Sequence, residues 1–258
     1  MELKDLIVDV KDGIATITIN RAKAMNAIND NVMKEIGYLF SEGLDLQSLS
    51  GIIITGAGEK AFIAGADITQ FGALDEKGGF NKSSFGHEVF DHIEQCPVPV
   101  IAAINGYSLG GGNELAMACH IRICSDNAKF GQPEVNLGLI PGFGGTQRMI
   151  QFIGKGRAME LLLTGDMIDS AKALDYGLVT HVTTQEELIP VARKIINKIA
   201  TKGPNAVANI IKTVNYYFDK TEDGFAKEQQ LFGEAMASAE CKEGVAAFLG
   251  KRKAKFKR

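Results

Sequence analysis

A carboxylate held beside open backbone amides can move protons on a ligand that those amides grip. Two segments put a glutamate in that setting. In Val98 to Met117 (VPVIAAINGYSLGGGNELAM) an apolar strand ends at Asn105-Gly106. Gly110, Gly111 and Gly112 follow, and a helix is expected from about Asn113. Glycines leave their N–H groups open to close approach, and at a helix N-terminus such groups favour negative charge. Glu114 falls in the first turn of that helix. Capping its own helix is one use for it, and acid–base work on a bound ligand is the other. The second segment is Phe130 to Arg148 (FGQPEVNLGLIPGFGGTQR), where Glu134 follows Pro133, whose ring restrains the local backbone. Val135, Leu137, Leu139 and Ile140 give this glutamate apolar neighbours, unlike those of a simply solvated loop carboxylate.

A third loop, Gly56 to Ile68, follows the strand Gly51–Thr55 and contains Ala64-Gly65-Ala66, whose small side chains again bare the backbone. Close packing of a surface loop is one explanation. The other is that two bared loops at neighbouring strand ends supply converging N–H donors, as an oxyanion hole requires. One such donor is worth roughly 2.7–4 kcal/mol of transition-state stabilisation. Other chemistries find less support. There is no GxGxxG and no glycine–lysine phosphate loop. His87, His92, His120 and His181 have no metal-ligand spacing. Ser108 fits GxSxG by letters, but it precedes the helix-opening glycines and lacks the context of a nucleophile elbow.

These residues need a scaffold of strand ends and helix starts, and the chain supplies the pattern. Strands are expected at Leu6–Val10, Ile14–Asn20, Gly51–Thr55, Val98–Asn105 and Ile121–Ser125, with Lys11-Asp12-Gly13 closing a hairpin between the first two. Helices are expected at Asp30–Leu44 and Ser84–Gln95. Strands alternating with helices imply an α/β fold with a mainly parallel sheet. After about Gly145 only Val179–Val182 reads as a strand. Helices are expected at Arg148–Leu163, Ser170–Tyr176, Glu186–Ala200, Asn205–Phe218, Gly224–Ala237 and Lys242–Lys251. The late helices are amphipathic, so their apolar faces need a partner in the core or in another subunit. Residues 69–90 are expected to form a mobile wall of the pocket.

The 258 residues, 45 % hydrophobic and 23 % charged, suit a globular protein with a substantial core. A net charge of −3 argues against general affinity for nucleic acid or acidic membranes. Six of the last eight residues are basic, as suits a solvated helix end, or else a clamp on a phosphorylated ligand. Cys96, Cys119, Cys124 and Cys241 form no CxxC pair and read as reduced core residues. Without an export or membrane segment in the sequence, a cytoplasmic location is the expectation.

Five stretches coincide with one family. They are Asn20–Ala27 (NRAKAMNA), Lys60–Ile68 (KAFIAGADI), Ile104–Ala116 (INGYSLGGGNELA), Phe130–Arg148 and Lys242–Phe256 (KEGVAAFLGKRKAKF). On these the chain resembles the crotonase superfamily and, within it, the enoyl-CoA hydratases. The stretches occur in family order and span nearly the whole sequence. Asn113 departs from the cysteine common in hydratases, and Ala22 from the usual proline.

The resemblance implies a spiral of ββα repeats over residues 1–200 carrying the active site. It also implies a helical part over 201–258 that builds a trimer, often paired into a hexamer. It places the oxyanion amides on Ala66 and Gly111 and the catalytic glutamates on Glu114 and Glu134. Gly142 falls beside the thioester, and Lys23, Ala24, Ala64, Asp67 and Ile68 fall along the CoA arm. The implied activity is that of a hydro-lyase adding water reversibly to a 2-enoyl-CoA, short-chain substrates such as crotonyl-CoA foremost, with no cofactor beyond the CoA of the substrate. Two alternatives stand beside it. One is a Δ3,Δ2-enoyl-CoA isomerase, against which the retention of both glutamates weighs. The other is a noncatalytic RNA-binding or scaffold member of the same fold.

Overall fold

Asp12 and Gly13 have φ of 55° and 71° and close the expected hairpin between β1 (Leu6–Lys11) and β2 (Ile14–Ile19). The computed structural model describes residues 1–68, 74–218, 229, 232, 234–235 and 238–256. Beyond the hairpin the strands come in consecutive pairs. β3 (Gly51–Gly56) precedes β4 (Ala61–Ala64), β5 (Val100–Ile104) precedes β6 (Tyr107–Leu109), and β7 (Ile121–Ser125) precedes β8 (Lys129–Gly131). The first member of each pair enters a large sheet, ordered β1-β2-β3-β5-β7-β10, which β10 (His181–Thr183) completes. The second enters a small sheet, ordered β4-β6-β8-β9, which β9 (Met167–Asp169) completes. A helix follows each of the first two pairs, α2 (Glu76–Glu94) and then α3 (Gly111–Ala118). This is the ββα spiral that the family resemblance implies.

The residue pattern explains the layering. All six residues of β3 are buried, so both faces of that strand are covered. Ile14, Ile53, Ile101 and Ile123 project from one face of the large sheet onto Leu188, Ala192 and Ile196 of α7 (Gln185–Ile199). Ile52, Ile54, Val100, Ala102 and Ile104 project from the other face into the main core, with Phe62, Ile63, Phe90 and Phe130. Cys96, Cys119 and Cys124 are buried free thiols, and desolvation pushes them up to about 11, 12 and 12.

Several elements differ from the sequence-based expectation. β4, β6, β8 and β9 were not expected, because strands of three or four residues carry too little alternation to register. β9 also corrects the reading of the chain after Gly145 as almost devoid of strands. The single helix expected at Arg148–Leu163 is two, α4 (Gly145–Ile153) and α5 (Lys155–Thr164). They are split at Gly154, whose φ of 77° and ψ of 161° no continuing helix accepts. α1 (Asp30–Tyr38) runs into a wider π turn over Leu39–Gly43. α2 starts two turns before the expected Ser84, because the Asp75 side chain accepts the Gly78 N–H at 2.8 Å and caps it. The pocket wall expected to be a mobile loop is therefore helical from Glu76, and residues 69–73 lie outside the described residues. α6 (Ser170–Tyr176) is as expected, as is α8 (Pro204–Tyr216) apart from its ends, and the final helix covers Ala239–Leu249. Most of the helix expected at Gly224–Ala237 lies outside the described residues.

Asn105, in the turn where β5 hands over to β6, ties that turn to the end of β3 and the loop that follows it. Its amide nitrogen donates to the carbonyls of Gly56 at 2.9 Å and Gly58 at 2.6 Å, and its oxygen accepts the Gly56 N–H at 3.1 Å. Asn105→Ala strands the buried N–H and carbonyl of Gly56, where each unsatisfied group costs about 1–3 kcal/mol, while the exposed Gly58 carbonyl turns to water. A loss of about 2 kcal/mol or more in urea-induced unfolding is expected, and a change below about 1 kcal/mol would show that water replaces the side chain at Gly56 too.

Candidate active site

The glycine run ahead of Glu114 has separable jobs. Gly110 adopts φ 49° and ψ −123°, a backbone closed to other residues, and an added Cβ there would sit 2.7 Å from Glu134 Oε1. A Cβ on Gly112 would fall 2.1 Å from the Ile63 carbonyl, so this glycine lets α3 press onto β4. Gly111 takes the first position of α3, where its N–H has no carbonyl one turn back to donate to.

Glu114 does not cap its own helix, whose N-cap, Gly110, has no side-chain bond. Its side chain crosses to the start of α4, where Oε1 accepts the N–H groups of Phe143 and Gly145, each at 2.8 Å. The carboxylate thus sits against the positive end of α4. Glu114 is only 1 % exposed. Desolvation raises its pKa from 4.5 to about 7, against the pull of the Gly145 N–H. The neighbouring Glu134 carboxylate raises it further, while the Phe143 N–H and the Arg148 guanidinium lower it.

Glu134 stands in the first turn of a 3₁₀ segment, Pro133–Leu137, with Pro133 at its start and Gly138 closing it at φ 68°. It is half-buried, and burial raises its pKa, opposed by its own N–H. With its amide nitrogen turned toward the carboxylate, buried Gln132 donates to both Glu134 oxygens at 3.1 and 3.2 Å.

The third loop presents its amide by strand pairing. Ile28 and Ala66 form an isolated parallel bridge, in which the Ile28 N–H donates to Gly65 O at 2.9 Å and the Asp67 N–H to Ile28 O at 2.7 Å. In that pattern the N–H of Ala66 itself points away from Ile28. No acceptor among the described residues takes it.

One cavity of about 390 Å³ brings these groups together. Its wall includes Ala64, Ala66, Ile68, Gly111, Glu114, Glu134 and Gly142, seven of the ten residues singled out in the sequence. Of the four apolar neighbours expected around Glu134, Leu137, Leu139 and Ile140 line it too, with Lys82 and Ser83 of α2, whereas Val135 does not. Lys23, Ala24 and Asp67 are not on the wall. Lys23 and Ala24 occupy an exposed 3₁₀ turn whose next residue, Met25, accepts the Ala64 N–H at 3.0 Å. The Asp67 carboxylate pairs with Arg21 at 3.3 Å. Ser108 is wholly buried within β6 and is not part of the wall, as its lack of a nucleophile-elbow context suggests.

A sequence model described as enoyl-CoA hydratase/isomerase matches residues 9–258. The chain belongs to that family. It is 42 % identical over 254 residues to the short-chain-enoyl-CoA hydratase of Clostridium acetobutylicum, covering 98 % of this chain and 97 % of that protein. It is 43 % identical to the crotonyl-CoA hydratase of Syntrophomonas wolfei, covering 99 % of both. The crystal structure of an enoyl-CoA hydratase from Bacillus anthracis superposes with a TM-score of 0.92 at 36 % identity, over 98 % of this chain and 99 % of that one.

Sequence reasoning within this family overlooked the residues behind Glu114. The amides of Phe143 and Gly145 and the side chain of Arg148 lie in a stretch already singled out for its glycines. Only the crossing of α3 over α4 reveals what they hold.

Raising a carboxyl's pKa on folding makes the folded state bind the proton more readily, so stability falls as pH rises from 4.5 toward about 7. That interval corresponds to at most about 3 kcal/mol. Glu114→Gln removes the cost of the buried charge. The variant should therefore melt higher than wild type at pH 8, with the difference shrinking toward pH 5. A constant difference across that range would mean that Glu114 is already ionised at low pH.

Proposed function

We propose that this chain is a hydro-lyase that adds water reversibly to the double bond of 2-enoyl-CoA thioesters, giving 3-hydroxyacyl-CoA, with short chains such as crotonyl-CoA preferred. One observation carries the reading: two carboxylates with raised pKa share a cavity wall with two backbone amides that lack acceptors among the described residues, those of Ala66 and Gly111. The names of the two curated relatives support the same substrate class.

In this scheme the thioester oxygen lies between the N–H groups of Ala66 and Gly111. Their pull makes the β-carbon electrophilic and stabilises the enolate charge that develops, so they act on turnover more than on binding. Glu114, ionised, takes a proton from water as the water oxygen bonds to the β-carbon. Glu134, protonated, delivers a proton to the α-carbon. The proton on Glu114 then returns to Glu134 by way of solvent, which restores the starting state. Gly142 borders the reacting carbons. Ala64 and Ile68 follow the pantetheine arm, and Lys23, Ala24 and Asp67 border the nucleotide end. No group beyond the CoA of the substrate takes part.

We also assign residues 201–258 to assembly into a trimer or a pair of trimers. No residue of α8 is buried, and Ile210 and Val214 along it, with Tyr217 and Phe218 just past its end, leave apolar surface uncovered.

Loss of the ultraviolet absorption of crotonyl-CoA reports hydration, because the conjugated double bond disappears. Glu114→Gln and Glu134→Gln should each lower kcat by at least about a hundredfold, the scale of general acid–base assistance, with crotonyl-CoA affinity little changed. Near-normal turnover in either variant would refute the scheme. Activity that moves a 3-enoyl double bond into conjugation, without hydration, would point to an isomerase. Salt-sensitive RNA binding without either activity would point to a scaffold role.

A further inference from the structure

Arg148 is 5 % exposed and uses its whole guanidinium. Nη1 donates to the Phe143 carbonyl at 3.0 Å. Nη2 donates to Asp91 Oδ1 at 2.8 Å and Glu94 Oε2 at 2.7 Å, and Nε donates to the same Glu94 oxygen at 3.2 Å. Phe143 is thus held at both ends of its backbone: Arg148 grips its carbonyl, while its N–H grips Glu114. The guanidinium also lies against Gly144, where an added Cβ would sit 2.3 Å from Nη1. Gly144 takes φ 102° and leads directly to the second donor, the Gly145 N–H. A second tie runs alongside, from the Ser83 hydroxyl of α2 to the Gly142 carbonyl at 2.5 Å.

The arginine is buried but its carboxylate partners are partly open to solvent, and ion pairs of that kind add little stability by themselves. What this one adds is geometry. Asp91 and Glu94 lie on α2, which also supplies Lys82 and Ser83 to the cavity wall. The arginine fork locks the turn that aims two amides at Glu114 to the helix that walls the cavity.

We infer that Arg148 is a positioning residue for hydration: through the Phe143 carbonyl it fixes the two N–H donors that hold the Glu114 carboxylate opposite Glu134. The inference rests on the hydratase reading. The charged and titratable groups near Glu114 are Glu134 across the cavity and Arg148 on α4, with Asp91 and Glu94 behind the arginine. His87, Lys82 and Asp75 stand on the α2 side, His87 beside Gly144 and the other two on the cavity wall.

The test compares Arg148→Met, Arg148→Lys and Glu94→Gln in the full-length chain. Two readouts are used: the pH profile of crotonyl-CoA hydration, and the pH dependence of stability relative to the same protein carrying Glu114→Gln. Arg148→Met should lower kcat about a hundredfold, as a slight misplacement of a reacting group does, with KM changed less than about threefold. It should also move the acid limb of the profile upward, because a nearby cation is gone. Arg148→Lys should restore the limb but only part of kcat, since a point charge replaces a planar fork. Glu94→Gln leaves the cation less neutralised and should move the limb downward. Opposite shifts from these two variants are not expected of a residue that only supports the fold. Arg148→Met with wild-type kcat, or an unmoved limb in both Arg148→Met and Glu94→Gln, overturns the inference. If Arg148→Met does not fold, the limb of Glu94→Gln decides. Wild-type protein that does not hydrate crotonyl-CoA overturns the hydratase reading alone, because the stability readout still reports whether Arg148 governs the titration of Glu114.

Discussion

The site depends on one interaction, the acceptance of the Phe143 and Gly145 N–H groups by a single oxygen of Glu114. A carboxylate buried this deeply loses its hydration, and the loss raises its pKa to about 7. Two amides at a helix start return part of what water would have given. The balance leaves Glu114 able to change protonation near neutrality, as the proposed role of a base on water requires. Weaker amide donation would leave the group neutral, and fuller solvation would leave it an ordinary surface carboxylate.

Much of the surrounding structure serves to keep those donors in place. α4 can begin at Gly145 because Gly144 accepts a left-handed backbone. The turn before it is tied to α2 by Arg148 and Ser83. α3 can bring Glu114 within reach because Gly112 lets it press onto β4. On the opposite wall Glu134 approaches only because Gly110 has no side chain. The spiral of strand pairs explains why these pieces meet. Each pair sends one strand to the large sheet and one to the small, and the connections that leave β4, β6 and β8 supply the walls of one cavity.

Much of the fold was legible in the sequence. Continuous Ile and Val runs such as Ile52–Ile54 mark strands covered on both faces, and Lys11-Asp12-Gly13 marks the only tight hairpin among the strands expected there. The small sheet was not legible, since Tyr107–Leu109 or Lys129–Gly131 could equally have been loop. The break at Gly154 was missed for a related reason: the apolar spacing runs through it, and only the backbone angles show that the helix does not. Of the residues given roles, the two glutamates stood out by their glycine and proline neighbours. The carboxylate of Asp67, a residue expected along the CoA arm, pairs with Arg21, a contact forty-six positions away in the chain that no local pattern announces.

The sequence by itself determined which residues are chemically competent: two carboxylates, each next to a flexible or restrained turn, and loops whose small side chains bare the backbone. Those properties are local, carried by residue type and spacing. Tertiary structure alone decided that Glu114 serves the start of a different helix, that a single bridge to Ile28 turns the N–H of Ala66, a residue of the cavity wall, away from Ile28, and that a buried arginine holds the turn at the start of α4. Each of these is a contact between segments distant in the chain. Its strength comes from burial and direction, which exist only once the layers have packed.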